Sequence, residues 1–221
     1  MELIVLDGLD GSGKTTQIDL LEKNLIALGK KVKKISFPDY ANESSALVKL
    51  YLSGAFGEDA YAVNAYAASS FYAVDRYASY KQFWQRDYEQ GTVILAARYT
   101  TSNAIHQMGK LPPQEWDDYL SWLEDYEYGK LGLPRPNAVL FLDMDPEISA
   151  KLISSRYRGD ESKRDIHERN RQYLKECTKS ARYAGEKLGF QMISCDDGTN
   201  PYSIEKVSQK IMECIRKELN L

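Results

Sequence analysis

Five short strand-like runs punctuate the chain: Leu3–Leu6, Val32–Ser36, Val93–Ala96, Ala138–Leu142 and Gln191–Ser194. Their length and apolar content suit strands buried on both faces. Between them the apolar spacing changes to a helical period. The predicted helices are Thr15–Leu28, Ser44–Leu52, Ala60–Gln90, Thr101–Met108, Pro113–Tyr126, Pro146–Ser155, Asp165–Leu188 and Tyr202–Leu219. Strands alternating with helices predict a five-stranded parallel sheet flanked by helices on both faces. Right-handed crossovers make this one doubly wound α/β domain, expected to span residues 1–221. In such sheets a ligand sits beyond the carboxyl ends of the strands. The stretch Gly129–Pro136 reads as a loop within that domain, and no repeat or low-complexity segment interrupts it.

The region Ala60–Gln90 is unusual in composition. It sets Tyr61, Tyr66, Tyr72, Tyr77, Tyr80 and Tyr88 among many alanines. Alanine favours the helix, and tyrosine offers a large flat surface with a polar tip. One face of this helix is expected in the core. Its other face could meet a partner subunit, and one or two tyrosines could face a ligand.

Bulk properties narrow the function little. The chain has 221 residues, is 43% hydrophobic and 28% charged, and carries a net charge of −3. That is enough apolar content for a full core and gives no global attraction to nucleic acid or an acidic membrane. The cluster Lys30, Lys31, Lys33 and Lys34 reads as a solvated helix end and strand start. No apolar run reaches the ~18 residues of a membrane span, and the N-terminus carries no signal-peptide pattern. Cys177, Cys195 and Cys214 are odd in number and lack metal-ligand spacing. They fit reduced packing residues of a cytoplasmic protein.

Chemistry is concentrated first at residues 8–15. Gly8-Leu9-Asp10-Gly11-Ser12-Gly13-Lys14-Thr15 fits G-x-x-x-x-G-K-[ST] without mismatch, between a strand and a helix as the motif requires. Glycines let backbone N–H groups turn around a phosphate, and the helix start adds positive potential. Gly8 to Thr16 are therefore the expected ATP-binding segment. Lys14 is expected on the outer phosphates and the Thr15 hydroxyl on Mg2+. The competing reading, a turn that merely links strand to helix, needs no Lys-Thr pair.

Further features follow in one order: Phe37-Pro38 after the second strand, Tyr72 with Asp75-Arg76, Arg98-Tyr99 with Ser102 and Gln107, and the arginine-bearing segment Arg156 to Glu168. With the loop Gly8–Thr16 they resemble the thymidylate kinases, P-loop nucleoside monophosphate kinases, over nearly the whole chain. The resemblance implies a P-loop NTPase fold with a short lid near residues 154–164. It implies transfer of the ATP γ-phosphoryl group to dTMP with Mg2+, and a homodimer formed through the tyrosine-rich helix. No nucleic-acid or membrane partner is expected.

The resemblance also distributes roles. Asp10 accepts from the 3′-hydroxyl of the acceptor nucleotide; the alternative is a carboxylate favoured by the helix dipole. Phe37 and Pro38 wall the acceptor pocket, or simply form a rigid strand exit. Tyr72 and Arg76, four apart on one helix face, stack on the base and donate to its carbonyl. Otherwise they are a core tyrosine and a surface arginine paired with Asp75. Arg98 clamps the acceptor phosphate. Ser102, Asn103 and Gln107 bond base or phosphate, or merely begin a helix. In the lid, Arg156 and Arg158 neutralise charge during transfer, with Lys163 and Arg164 as lesser candidates. Asp165 and Glu168 suit a helix start, and Asp145 is expected to cap the helix at Pro146. Asp196-Asp197-Gly198 resembles a loop bordering the donor adenine, or is an ordinary turn.

Four positions depart from the family. Tyr40 stands where an arginine is common, Tyr72 where phenylalanine is usual, and His106 where an aromatic residue lies near the sugar. Ala97 replaces an Asp that helps hold magnesium, which predicts weakened catalysis with nucleotide binding retained. The acceptor phosphate, with a second pKa near ~6, is already nucleophilic at neutral pH. The alternatives are a kinase of the same fold for another acceptor and a nucleotide-binding protein without turnover. A mechanical NTPase would need a water-positioning residue, and no candidate stands out.

Overall fold

A computed structural model describes residues 1–156 and 170–219, with the side chains of residues 154–156 and 171 left aside. Its centre is a five-stranded parallel sheet in the order β2-β3-β1-β4-β5. The strands are β1 (Glu2–Gly8), β2 (Val32–Ser36), β3 (Val93–Ala97), β4 (Ala138–Asp143) and β5 (Gln191–Ser194). All five coincide with predicted runs to within a residue or two. The helices are α1 (Lys14–Ala27), α2 (Ala46–Leu52), α3 (Ala65–Ser79), α4 (Gln85–Glu89), α5 (Thr101–His106), α6 (Trp116–Glu124), α7 (Pro146–Arg156), α8 (Arg171–Leu188) and α9 (Ile204–Glu218).

The two sheet faces follow from strand alternation. Leu3, Val5, Ile94, Ala96, Val139 and Phe141 point to one layer, with Tyr99, Ile105, Tyr119, Tyr173 and Cys177 above them. Ile4, Leu6, Leu95, Leu140, Leu142 and Ile193 point to the other, against Ile18, Leu21 and Leu25 of α1 and Val207, Ile211 and Ile215 of α9. The three central strands β1, β3 and β4 are thus mostly apolar because both sides are covered, whereas the edge strands β2 and β5 carry Lys33, Lys34, Gln191 and Ser194.

Caps explain where helices begin. The predicted start at Ala60 moves to Ala65 because the Asn64 side chain accepts from the Ala67 N–H at 2.9 Å. Ser203 does the same for α9, accepting from Lys206 N–H at 3.2 Å. Asn170 accepts from Tyr173 N–H at 3.0 Å, so α8 begins at Arg171; residues 165–169 of the predicted helix lie outside the described part. Asp145 caps α7 as expected, accepting from Glu147 N–H at 2.7 Å. Each bond satisfies an amide that helix geometry leaves without a partner.

The tyrosine-rich region divides as its composition suggests. α3 buries Ala65, Ala68, Ser69, Ala73 and Arg76, then passes through a π-helical turn, Tyr80–Trp84, into α4. Tyr80 and Trp84 lie in the core, Tyr72 lines a cleft, and Tyr66, Val74 and Tyr77 remain exposed. The basic cluster is solvated as expected: Lys33 pairs with Asp87 at 2.6 Å, and Lys34 bridges to Asp19 and Glu22. Cys177, Cys195 and Cys214 are free thiols. No helix among the described residues is long and apolar enough to cross a membrane.

Candidate active site

β1 lies between β3 and β4, so the loops leaving these strands converge above the carboxyl edge of the sheet. There a cleft of about 350 Å³ opens. Asp10, Gly11, Gly13, Lys14, Thr15 and Thr16 line one end. Phe37, Pro38, Tyr72, Arg76, Arg98, Ser102, Asn103 and Gln107 line the rest, with Tyr40, Ala97 and His106 beside them. Residues from Asp10 to Gln107 in sequence therefore share one cavity. Gly8, Leu9 and Ser12 sit behind the loop instead: Leu9 and Ser12 are buried, and the Gly8 and Leu9 carbonyls face Lys14.

The loop's shape depends on glycine. Gly13 has φ 88°, a left-handed conformation that turns the chain into α1 and leaves the first helix amides facing the cleft. A Cβ on Gly11, with φ 80°, would lie 2.8 Å from the Ser149 carbonyl and 2.9 Å from Ile153, so α7 packs directly on the loop. The Lys14 ammonium donates to the Gly8 and Leu9 carbonyls at 2.8 and 2.7 Å and lies 3.7 Å from Asp10. Thr15 and Thr16 are exposed at the mouth of the cleft.

Across the cleft, Arg98 follows the end of β3. It has φ 65°, unusual for a residue with a side chain, and its N–H is held by the Leu6 carbonyl at 3.1 Å. The turn throws the guanidinium over the end of β1. There Nη2 donates to Asp10 at 2.5 Å and Nη1 donates to Nε2 of His106 at 2.8 Å. Asp7 lies 3.8 Å away, completely buried. Burial opposes the Arg98 charge, but the Asp10 and Asp7 carboxylates outweigh it and raise the pKa above the arginine range. The guanidinium is permanently charged.

Asp7 carries no expected role, yet it organises this corner. It accepts from Gly8 N–H at 2.8 Å, Thr101 Oγ1 at 2.9 Å and Ser102 Oγ at 2.7 Å. It thereby ties the phosphate loop to the start of α5. The sequence signal was an acid ending an otherwise apolar strand. Ser102 spends its hydroxyl on this strut while still bordering the cleft.

Arg76 corrects one expectation. Its partner is not Asp75, which instead accepts from Asp39 N–H at 2.8 Å and Ser44 Oγ at 2.6 Å. Arg76 forms a bidentate pair with Glu127, Nε to Oε2 at 2.7 Å and Nη2 to Oε1 at 2.6 Å, with both side chains almost fully buried. The Asn103 amide donates to the same carboxylate at 2.9 Å. Glu127 lies 51 residues from Arg76 and gave no local signal. Gln107 is buried against the cleft, and its Oε1 meets no hydrogen-bond partner among the described residues. Such an atom calls for a ligand donor.

For Mg2+, the cleft offers the Thr15 hydroxyl and the Asp10 carboxylate, and a methyl at Ala97. Among the described residues no cluster of three or more His, Cys, Asp or Glu could hold a metal. A cation brought in with triphosphate fits this: magnesium typically takes few protein oxygens and completes its shell with phosphate and water. The α7 helix carries the backbone of Arg156, whose side chain is not described, and Arg158, Lys163 and Arg164 lie outside the described residues. Asp196 accepts from Gly198 N–H at 2.9 Å and from Asp145 N–H at 2.7 Å, forming a turn that joins the β5 and β4 exits.

A phosphate loop at a helix start, facing a fixed guanidinium across one cleft of a parallel sheet, defines a P-loop phosphotransferase. The family model for thymidylate kinase matches residues 6–211. The chain is 30% identical over 172 residues to thymidylate kinase of Mycobacterium tuberculosis, covering 76% of this chain and 78% of the relative. It is 26% identical to thymidylate kinase of Schizosaccharomyces pombe over 96% of this chain and 90% of that one. The solved structure of thymidylate kinase from Candida albicans superposes with a TM-score of 0.72 at 22% identity, covering 99% of this chain and 92% of that one. The chain belongs to the thymidylate kinase family and is an ATP-dependent phosphotransferase.

Proposed function

We propose that this protein transfers the γ-phosphoryl group of ATP to dTMP, giving dTDP and ADP, in the supply of dTTP. The observation that carries the reading is the shared cleft, with Lys14 and the α1 amides at one end and Arg98, Tyr72, Arg76 and Gln107 at the other. Two anionic nucleotides entering from opposite ends would meet there phosphate to phosphate.

The donor's phosphates lie in the loop Gly8–Thr16, and Lys14 exchanges its carbonyl partners for phosphate oxygens. Thr15 holds Mg2+, which when bound neutralises phosphate charge. Arg98 donates two N–H groups to the acceptor phosphate, and Asp10 is released to accept from the sugar hydroxyl. Tyr72 stacks on the base against the wall of Phe37 and Pro38. Arg76, already fixed by Glu127, and Asn103 and Gln107 line the base edge. Gln107 Oε1 supplies an acceptor for a base N–H, and thymine carries one. Positioning and charge neutralisation do most of the work in phosphoryl transfer. Arg156 and Arg158 in the lid near residues 154–164 complete the neutralisation. Support comes from α7: Ile153 packs on Gly11, so the chain reaches Arg156 one turn beyond the loop.

The Ala97 methyl offers no oxygen, so catalysis is weakened while both nucleotides still bind. The protein acts in the cytoplasm as one kinase domain. Val74 and Tyr77 on α3 and Leu47 and Leu50 on α2 are exposed apolar side chains suited to meeting a second copy. A monomer by analytical ultracentrifugation at micromolar concentration would remove that part of the reading.

The test is a panel of nucleoside monophosphates offered with ATP and Mg2+. Phosphorylation of dTMP well above dCMP, dAMP and dGMP is expected. Preference for another monophosphate would replace the acceptor, and binding of both nucleotides without product, even in Ala97→Asp, would replace catalysis with binding.

A further inference from the structure

Arg98 is held by a histidine as well as by a carboxylate. A guanidinium has five N–H donors and no acceptor. The 2.8 Å contact between Arg98 Nη1 and His106 Nε2 therefore settles the imidazole's state: Nε2 carries a lone pair, and the proton sits on Nδ1. An imidazolium, or the other tautomer, would set donor against donor.

The ring's position is built in from behind. The Tyr173 hydroxyl donates to the His106 carbonyl at 2.9 Å, and Ser180 Oγ donates to the Ile105 carbonyl at 2.5 Å. Both come from α8, and Cys177 Sγ lies against the His106 carbonyl at 3.9 Å. These bonds pin the last turn of α5. His106 itself is 7% exposed. Other ionisable groups nearby have their own duties. Asp10 and Asp7 face Arg98, Tyr119 shares a hydrogen bond with Ser69, and the Lys110 ammonium donates to the Tyr51 hydroxyl and the Val63 carbonyl.

We propose that His106, neutral and protonated on Nδ1, is a positioning residue for Arg98 that holds the guanidinium at the angle needed to take the acceptor phosphate. Asp10 alone cannot fix that angle. It grips one nitrogen, and the proposed mechanism requires Asp10 to let go when the sugar arrives. His106 remains, so the guanidinium keeps one anchored edge while its free N–H groups turn to phosphate. A phenyl ring at this position would have no lone pair to give. The departure from the family at residue 106 is then a second support for the clamp rather than a loss. The inference rests on the reading of Arg98 as the acceptor's phosphate ligand.

Two measurements on the full chain test it. The first is 15N NMR of the histidine side chains, with His106→Gln used for assignment; the chain has only two histidines. A neutral imidazole with its proton on Nδ1 is expected for His106 near pH 7.5, and a proton on Nε2 would overturn the proposal. The second is calorimetric binding of dTMP and of ATP to wild type, His106→Gln and His106→Leu, which does not depend on turnover. Gln keeps an acceptor near the Nε2 position and should hold the dTMP Kd within about threefold, whereas Leu should raise it about ten- to hundredfold. ATP binding should stay unchanged in both. Equal losses in Gln and Leu, or no loss in Leu, would overturn the proposal. Failure of the parent reading looks different: Arg98→Ala would then leave the dTMP Kd unchanged whatever His106 does.

Discussion

Asp10 and Arg98 are joined by a 2.5 Å hydrogen bond that bridges the loop after β1 and the turn after β3. They lie 88 residues apart in sequence and belong to the two halves of the proposed reaction, donor loop and acceptor clamp. A charge-assisted bond of this kind is stronger than a neutral one. Arg98 is therefore oriented before any phosphate arrives, and little ordering is left for binding to accomplish.

Replacing Arg98 should expose that contribution. Arg98→Ala is expected to raise the dTMP Kd by roughly a hundredfold, on the scale of one or two charge-assisted hydrogen bonds. Arg98→Lys should recover only part, because an ammonium lacks the planar fork that holds His106 with one nitrogen while the others turn to phosphate. Calorimetry would check both. An ATP Kd that rose equally would show that the arginine does not separate the two sites.

Restoring a carboxylate tests the reading of Ala97. It ends β3 and lines the cleft beside Arg98. Ala97→Asp should raise kcat by about tenfold or more, which is at least about 1.4 kcal/mol of added charge stabilisation by a metal and its ligands. Nucleotide Kd values should change little. Steady-state kinetics with unchanged kcat would show that this chain already supplies the missing function elsewhere.

The Arg76–Glu127 pair predicts a stability effect. Glu127→Gln leaves the guanidinium buried without its counter-charge, at about 3–5 kcal/mol. The melting temperature should fall by roughly 10 °C for a protein of this size. Arg76→Met combined with Glu127→Leu should recover much of it, since both charges leave together. That double variant should still bind dTMP poorly if Arg76 contacts the base. Differential scanning calorimetry and dTMP titration would separate the two effects.

Lys110 predicts a pH effect. Burial pushes its ammonium down to about 7, despite the nearby Asp59. The unfolded chain would hold that proton to about 10.4. Above pH 7 the folded protein has released a proton that the unfolded chain keeps, so stability rises with pH from there. The cost of burying the charge is full below pH 7 and relieved above it. Relative to Lys110→Met, wild type should gain on the order of 2 kcal/mol between pH 7 and pH 9. Urea denaturation at several pH values would check this, and parallel curves for the two proteins would contradict it.

By itself the sequence determined the sheet, the phosphate loop and most helix limits. These depend on local quantities: runs of apolar residues, the backbone freedom of Gly13, and caps such as Asp145 within three residues of what they bind. The order of the site residues along the chain also pointed to the family. Tertiary structure alone decided which groups meet. Glu127 rather than Asp75 neutralises Arg76, Asp7 ties the loop to α5, and His106 takes a guanidinium N–H. Asp7 meets α5 because β1 and β3 lie side by side, Glu127 reaches Arg76 from 51 residues away through helical packing, and His106 faces Arg98 only because the turn after β3 folds back over α5. A hydrogen bond forms over about 3 Å of space, and no periodicity along the chain reports that distance.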